Sequence, residues 1–131
     1  MRIKQVSVFV GNEPGRLVDM LRPLAENDIN IHALSVAETA DFGIMRMVVS
    51  DTDRAVRALH DARFTVRVND VLAFDMANTP GGLLKAVTEP LFQAGINIEY
   101  FYAFVGNEQG KATVVLKVSD LERAEAVLGG G

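Results

Sequence analysis

The stretch Asn12-Glu13-Pro14-Gly15-Arg16-Leu17 occurs a second time as Asn78-Thr79-Pro80-Gly81-Gly82-Leu83. Each copy closes an alternating apolar run and opens a helically spaced one. Before the first copy, Val6, Val8 and Val10 alternate with Gln5, Ser7 and Phe9, the two-residue period of a strand. After it, Leu17, Leu21 and Leu24 recur at helical spacing around Asp19, Arg22 and Glu26. Proline suits the first turn of a helix, where its missing N–H is not needed. Glycine lets a backbone or a ligand approach closely. The first N–H groups of a helix lack intrahelical acceptors and sit at the positive end of its dipole. Each turn is therefore a candidate site for a carboxylate or phosphate.

The repetition extends outward from these turns. Gly15 recurs 66 residues later as Gly81, Ile31 recurs 67 later as Ile98, and Ser50 recurs 69 later as Ser119. Ile29-Asn30-Ile31 returns as Ile96-Asn97-Ile98, Arg54-Ala55 as Arg123-Ala124, Pro23 near the place of Pro90, and Leu59 as Leu128. Offsets that only drift upward are the mark of a duplication with small insertions. The first copy reads as strand 3–10, a helix ended by Asn27-Asp28, strand 29–38, a turn at 39–43, strand 44–50, a helix capped at Asp51 and a strand at 64–68. The second reads as strand 71–77, a helix with Thr79 as cap and Pro80 first, strand 96–105, a turn, strand 112–118 and a helix to Leu128. The order strand, helix, strand, strand, helix, strand is that of ferredoxin-like sandwiches. The fold class is α+β: two tandem βαββαβ modules, 1–69 and 70–131, with antiparallel sheets and helices on one face. The second copy ends in Gly129-Gly130-Gly131 and has no sequence for its fourth strand. Either the chain has been cut short, or another chain or segment covers that sheet edge.

Composition narrows the function. The chain has 131 residues, 49% hydrophobic and 23% charged, enough for a packed core. A net charge of −4 repels nucleic acid and anionic membranes. No cysteine is present, which excludes disulfides, thiolate metal sites and cysteine nucleophiles. Met1-Arg2-Ile3-Lys4-Gln5 leads into no long apolar region, and no apolar run approaches the roughly 20 residues needed to cross a bilayer. A cytoplasmic protein with no membrane partner is expected.

A strand ending in Asn-x-Pro-Gly-x-Leu, followed after one helix by Ile-Asn-Ile, and found twice, resembles a tandem ACT-domain protein. The resemblance covers the whole chain except the missing last strand. It implies a small regulatory module that binds a free amino acid between modules, without cofactor or metal. It also implies output to a separate regulated enzyme or regulator. Carried onto this chain, one site comprises Asn12, Pro14, Gly15, Arg16 and Leu17 with Ile31 and His32. The other comprises Asn78, Pro80, Gly81, Gly82 and Leu83 with Ile98 and Glu99. Backbone N–H groups and Arg16 can receive a carboxylate, and side-chain and strand carbonyls an ammonium group. Gly82 stands where the first copy has Arg16, so the two sites are not equivalent, and the Arg16 turn is the better carboxylate site.

Each of these residues has a structural reading beside the functional one. The glycines suit close helix–sheet packing, the asparagines suit turns, His32 suits a half-buried strand position and Arg16 a solvated first turn. Asp41-Phe42-Gly43 lacks the remaining kinase motifs and reads as a turn whose Phe42 packs on a neighbouring module. Tyr100, Phe101, Tyr102 and Phe104 occupy both faces of one strand, which implies that the outer face of the second module is covered. That aromatic strand and the open edge point to a homodimer. His32 and His60 lie on different elements, and neither H-E-x-x-H, Gly-x-Ser-x-Gly nor a P-loop is present, so no catalytic residues are assigned. Asp51 and Asp53 read as helix caps. An alternative is a structural or partner-binding ferredoxin-like module. An RNA binder shares this strand order but needs β3 aromatics, where Ile44-Met45-Arg46-Met47-Val48 stands. An acylphosphatase-like enzyme would need an anion-cradling loop, for which the Pro-Gly turn is the wrong kind.

Overall fold

A computed structural model of the chain describes residues 1–11, 13–38, 42–105 and 110–129, without the side chains of 38, 42, 104 and 105. Asn12, the 39–41 part of the first turn and most of the 106–110 turn lie outside the described residues, as do the side chains of Phe42 and Phe104. Contacts divide the chain into two compact units, Lys4–Asn69 and Asp70–Gly131 with Met1–Ile3.

The first unit holds β1 (Arg2–Gly11), α1 (Arg16–Glu26), β2 (Ile31–Glu38), β3 (Phe42–Val49), α2 (Thr52–Asp61) and the start of β4 (Thr65–Ala77). Its sheet runs β2-β3-β1-β4. β1 pairs antiparallel with β3, with Val6 opposite Met47, Val8 opposite Met45 and Val10 opposite Gly43. Alternation then puts Val6, Val8, Val10, Met45, Met47 and Val49 on one face, where they form a core with Met20 and Leu24 of α1 and Ala55 and Leu59 of α2. The helix stripe differs from the sequence reading. Met20 and Leu24 are buried, whereas Leu17 in the first turn is 46% exposed. α1 continues through Pro23.

The second unit repeats the plan. A π-helical stretch (Leu84–Thr88) leads into α3 (Glu89–Gln93), followed by β5 (Ile98–Val105), β6 (Lys111–Val118) and α4 (Leu121–Val127). Its strands run β4-β6-β5, and Leu72, Leu116, Val114 and Val118 form the core with Val87, Leu91 and Ala124. Helical structure begins at Gly82, not at Pro80, so Thr79 lies ahead of the cap position. The π turn ends just before Pro90, whose ring nitrogen has no N–H to donate to Ala86 four residues back.

Two findings bear on the strands read from sequence. Residues 64–68 and 71–77 were expected as separate strands, but β4 is one run of 13 residues. Neither glycine nor proline stands at Asn69-Asp70 to interrupt it. In the second unit, Met1 and Ala73 exchange backbone hydrogen bonds, 3.1 Å from Met1 N to Ala73 O and 2.8 Å from Ala73 N to Met1 O. Such a mutual pair marks an antiparallel ladder. Arg2 reaches Glu125 of α4 at 2.7 Å, and that carboxylate raises the guanidinium pKa. Residues Met1–Ile3 thus belong to the second unit and meet β4 there.

The repeated polar residues brace each unit in the same way. Ser50 Oγ accepts from Asn30 N at 3.0 Å, and Ser119 Oγ from Asn97 N at 3.1 Å. Asp51 caps α2 by accepting from Arg54 N at 3.1 Å, and Asp120 caps α4 by accepting from Arg123 N at 3.1 Å. The Arg54 guanidinium then donates to Asn27 O at the end of α1, and that of Arg123 to Ala94 O at the end of α3. We expect Asp51→Ala and Asp120→Ala each to lower the unfolding free energy by about 1 kcal/mol. Leu59→Ala, which empties a fully buried site, should cost about 2–5 kcal/mol. Urea unfolding of the three variants measures both effects.

Candidate functional site

The turn between β1 and α1 is built by its proline and glycine. Arg16 N donates to Glu13 O at 3.2 Å, and Gly15 has φ 87° and ψ −9°. These are the values for the third residue of a type II turn, which needs positive φ there and favours proline just before it. A Cβ at Gly15 would meet nothing within 4 Å. The glycine therefore serves the backbone conformation and not close packing. Pro14 lies in this turn, and the helix starts at Arg16. Asp19 N donates to Gly15 O at 3.0 Å, while Leu17 and Val18 stand in the first turn, where helix geometry offers no acceptor.

Arg16 folds back over the end of β1. A Cβ at Gly11 would lie 3.9 Å from its Nε. Its guanidinium carbon lies 5.0 Å from the centroid of the Phe64 ring, and Nη1 is 3.6 Å from Asp19 Oδ2. The ring face and the carboxylate hold the cation in place. Beside it opens a cleft of about 110 Å³. Among the described residues, Val10, Leu17, Val36 and Met45 give it apolar walls, Gly11 and Gly43 contribute no side chain, and Glu13 and Arg16 are charged members. The cleft has a register cause. Gly43 stands between Val10 of β1 and Glu38 of β2, and so leaves a gap in a row of paired residues. The next row, Val8, Met45 and Val36, is complete. Val36 remains 49% exposed on edge strand β2.

The second copy has the same turn with different residues around it. Gly82 N donates to Thr79 O at 2.9 Å, and Gly81 has φ 76°. A Cβ at Gly82, the position of Arg16, would lie 2.8 Å from Ala77 O and 3.2 Å from Met76 Cε. Met76 replaces Val10, and its partner Ala112 replaces Gly43. Pro80, Gly81 and Asn78 are exposed, with Asn78 N donating to Gly110 O at 2.8 Å, and Leu83 packs against the core.

Within one unit, the turn and the start of the second strand lie apart. Within the first unit, Ile31 begins β2, whereas Glu38 at its far end pairs beside Gly43. Seven residue steps of strand separate them, about 23 Å. Ile31 packs against the core, and His32 is exposed rather than half-buried. Register shifts at Ile31/Ala33 and Ile98/Tyr100 make His32 and Glu99 the extra residues of matching β-bulges. Ile98 packs on the second core, and Glu99 pairs with Lys117 at 3.4 Å. Val10, Glu13, Val36, Gly43 and Met45 were missed from sequence. The signal was available: Val10 and Gly43 are positions where the two copies differ. Two wider grooves on the first unit include Arg54 and Asp51, already engaged as brace and cap. Among the described residues, no cluster of three His, Cys, Asp or Glu could hold a metal, and no helix is long and apolar enough to cross a membrane.

The architecture is that of paired regulatory modules, and comparison with known proteins agrees. The ACT domain pair family matches residues 1–129, and the chain belongs to that family. Among solved structures, the chain is similar to protein BT0572 from Bacteroides thetaiotaomicron, with 42% identity and TM-score 0.92 over 99% of this chain and 88% of that one. It shares its fold with the regulatory subunit of aspartate kinase from Thermus thermophilus (17% identity, TM-score 0.67, 98% and 91% covered). The corresponding subunit from Thermus flavus gives 18% identity and TM-score 0.66, with the same coverage. No curated protein matches the chain. ACT domains are regulatory modules, and the two βαββαβ-type copies seen here are their ferredoxin-like form.

The two glycines carry different constraints. Gly15→Ala should cost about 1 kcal/mol through its positive φ, and Gly15→Asn less, because asparagine tolerates that region. Gly82→Ala should cost about 1–3 kcal/mol through the clash with Ala77 O, with Gly82→Asn no better. Thermal unfolding of the four variants separates strain from crowding.

Proposed function

We propose that this chain is a non-enzymatic, cytoplasmic sensor that binds a free amino acid in the first-unit cleft and passes the signal to a separate enzyme or regulator. The observation that carries this reading is the cleft itself, where one cation and one anion stand beside apolar walls at the turn the family uses. Arg16 receives the carboxylate, assisted by first-turn N–H groups. Glu13 receives the ammonium group. Among the expected residues, Arg16 and Leu17 line the cleft directly, while Pro14 and Gly15 act by shaping the turn. We also propose a homodimer, on the exposure of Leu84, Phe92 and Phe101 in the second unit; Phe92 is 82% exposed.

A thermal-shift screen against the twenty amino acids tests the binding. A ligand at 100 times its dissociation constant adds about 2.7 kcal/mol, a clear rise in melting temperature. Arg16→Met, which keeps an apolar stem, should abolish the shift while leaving the unliganded melting temperature nearly unchanged. A flat screen for the parent protein would remove the amino-acid reading. For the dimer, sedimentation should show two chains per particle, and Phe92→Asp should reduce this to one.

A further inference from the structure

We infer that Asp19 and Phe64 control the charge that Arg16 presents to the cleft: the Phe64 ring presets the guanidinium at the rim, and the Asp19 carboxylate occupies it until a ligand carboxylate takes its place. This rests on the reading of the cleft as an amino-acid site. Arg16 lines the cleft, so a ligand there meets it directly. Asp19 and Phe64 act through Arg16 and are positioning residues.

The ring is placed by the end of α2. Arg63 N donates to His60 O at 2.9 Å, Phe64 N donates to Leu59 O at 3.0 Å, and Arg63 has φ 70°. This is the Schellman ending of a helix, with Arg63 in the left-handed position that glycine usually takes. It turns Phe64 inward, where the residue is 7% exposed and part of the first core. A ring fixed in this way offers its face to the guanidinium, whose carbon lies 5.0 Å from the ring centroid. The N–H groups of a guanidinium lie in its plane, so a cation held by its face keeps them for carboxylates.

In the free protein Asp19 takes one of those N–H groups. Nη1 lies 3.6 Å from Asp19 Oδ2, three residues along α1. This is longer than the roughly 2.7–2.9 Å of a charge-assisted hydrogen bond, and 37% and 54% of the two side chains are exposed. A ligand carboxylate in closer, bidentate contact replaces a loose pair with a tight one. Release of Asp19 costs little, because the first turn of α1 favours a negative side chain even when it is unpaired. Until then its charge opposes an incoming carboxylate. The corresponding positions of the second copy are Gly82 and Lys85, so the pair is particular to the first.

The test is titration calorimetry on the full chain with each of the twenty L-amino acids, repeated for every binder with its α-carboxamide. In Asp19→Asn the amino acids should bind about threefold or more tighter, the scale of an exposed ion pair, and their amides should gain nothing. Phe64→Leu should weaken the amino acids by about threefold or more, and Phe64→Tyr, which keeps the ring, should not. Arg16→Lys keeps the charge and loses the planar face, and it should weaken them by a similar factor. An unchanged or weaker affinity in Asp19→Asn, or a gain shared equally by the amides, would overturn the role of Asp19 and leave the amino-acid site standing. Unchanged affinity in Phe64→Leu, or in Arg16→Lys where the core substitution prevents folding, would overturn that of Phe64. Absence of binding by all twenty, in the parent protein and in Asp19→Asn alike, would overturn the amino-acid reading and this inference with it.

Discussion

A positive φ at one residue sets the geometry on which the candidate site depends. Gly15 sits at φ 87°, which turns the chain sharply from β1 into α1. Because the turn closes on Glu13 O, Arg16 starts the helix directly above the end of the strand it has just left. Its side chain can then lie over Gly11 and against the Phe64 ring, at the rim of the cleft. A longer or looser loop would place the first helical residue beyond reach of the sheet. The turn thus does two things with one conformation. It joins strand to helix tightly enough for the Val8–Met20–Leu24 core, and it brings a cation to the edge of an apolar gap.

The duplication separates scaffold from site. What recurs in both copies is mostly bracing: Ser50 and Ser119 on the strand entry, Asp51 and Asp120 at helix starts, Arg54 and Arg123 on the preceding helix end. These groups satisfy backbone donors and acceptors that helix and strand ends leave over. They would be needed whatever the module bound. What differs lies around the cleft, where Val10, Arg16 and Gly43 correspond to Met76, Gly82 and Ala112 of the second copy. A small residue on β3 and a long one on α1 accompany the first-unit gap; the second copy has a larger pair on the sheet and no side chain on the helix. The repeats thus record what the fold requires, and the departures between them locate what one copy has been free to specialise.

Much of the fold was legible in the sequence because it rests on local periodicity. Alternation placed Val6, Val8 and Val10 on one face, and the Pro-Gly pair located the turn. The helix caps were visible as Asp51 and Asp120 before charged helical runs. Three features escaped because they depend on contacts across the chain. Nothing near Asn69 announces that two strands join, since uninterrupted pairing decides it. Nothing in Met1–Ile3 announces a partner at Ala73, 72 residues away. The π turn before Pro90 follows from a lost donor but could equally have become a kink, as the even passage of α1 through Pro23 shows. The cleft was half legible. Arg16 and Leu17 were visible from the turn, whereas Val36 and Met45 come from strands whose register had to be known. Ile31 and His32 were drawn in by the resemblance, yet within their unit they begin the strand whose other end lies beside the turn.

The physical balance in the cleft also bears on how so small a module can signal. A ligand shifts an equilibrium only by its differential affinity for the states involved. In the free protein, Leu17 on α1 and Val36 on β2 leave apolar surface in water, and these two elements are otherwise joined through the core beneath. On the proposed reading, a ligand in the gap would touch both at once. Burial of that surface contributes roughly 25 cal/mol for each Å² covered, and it favours arrangements in which α1 and the edge strand close on the ligand. Charge pairing at Arg16 adds direction and little depth, since an exposed ion pair is worth at most about 1 kcal/mol. The apolar walls, not the charges, therefore supply most of the free energy available to move the helix start relative to the sheet edge.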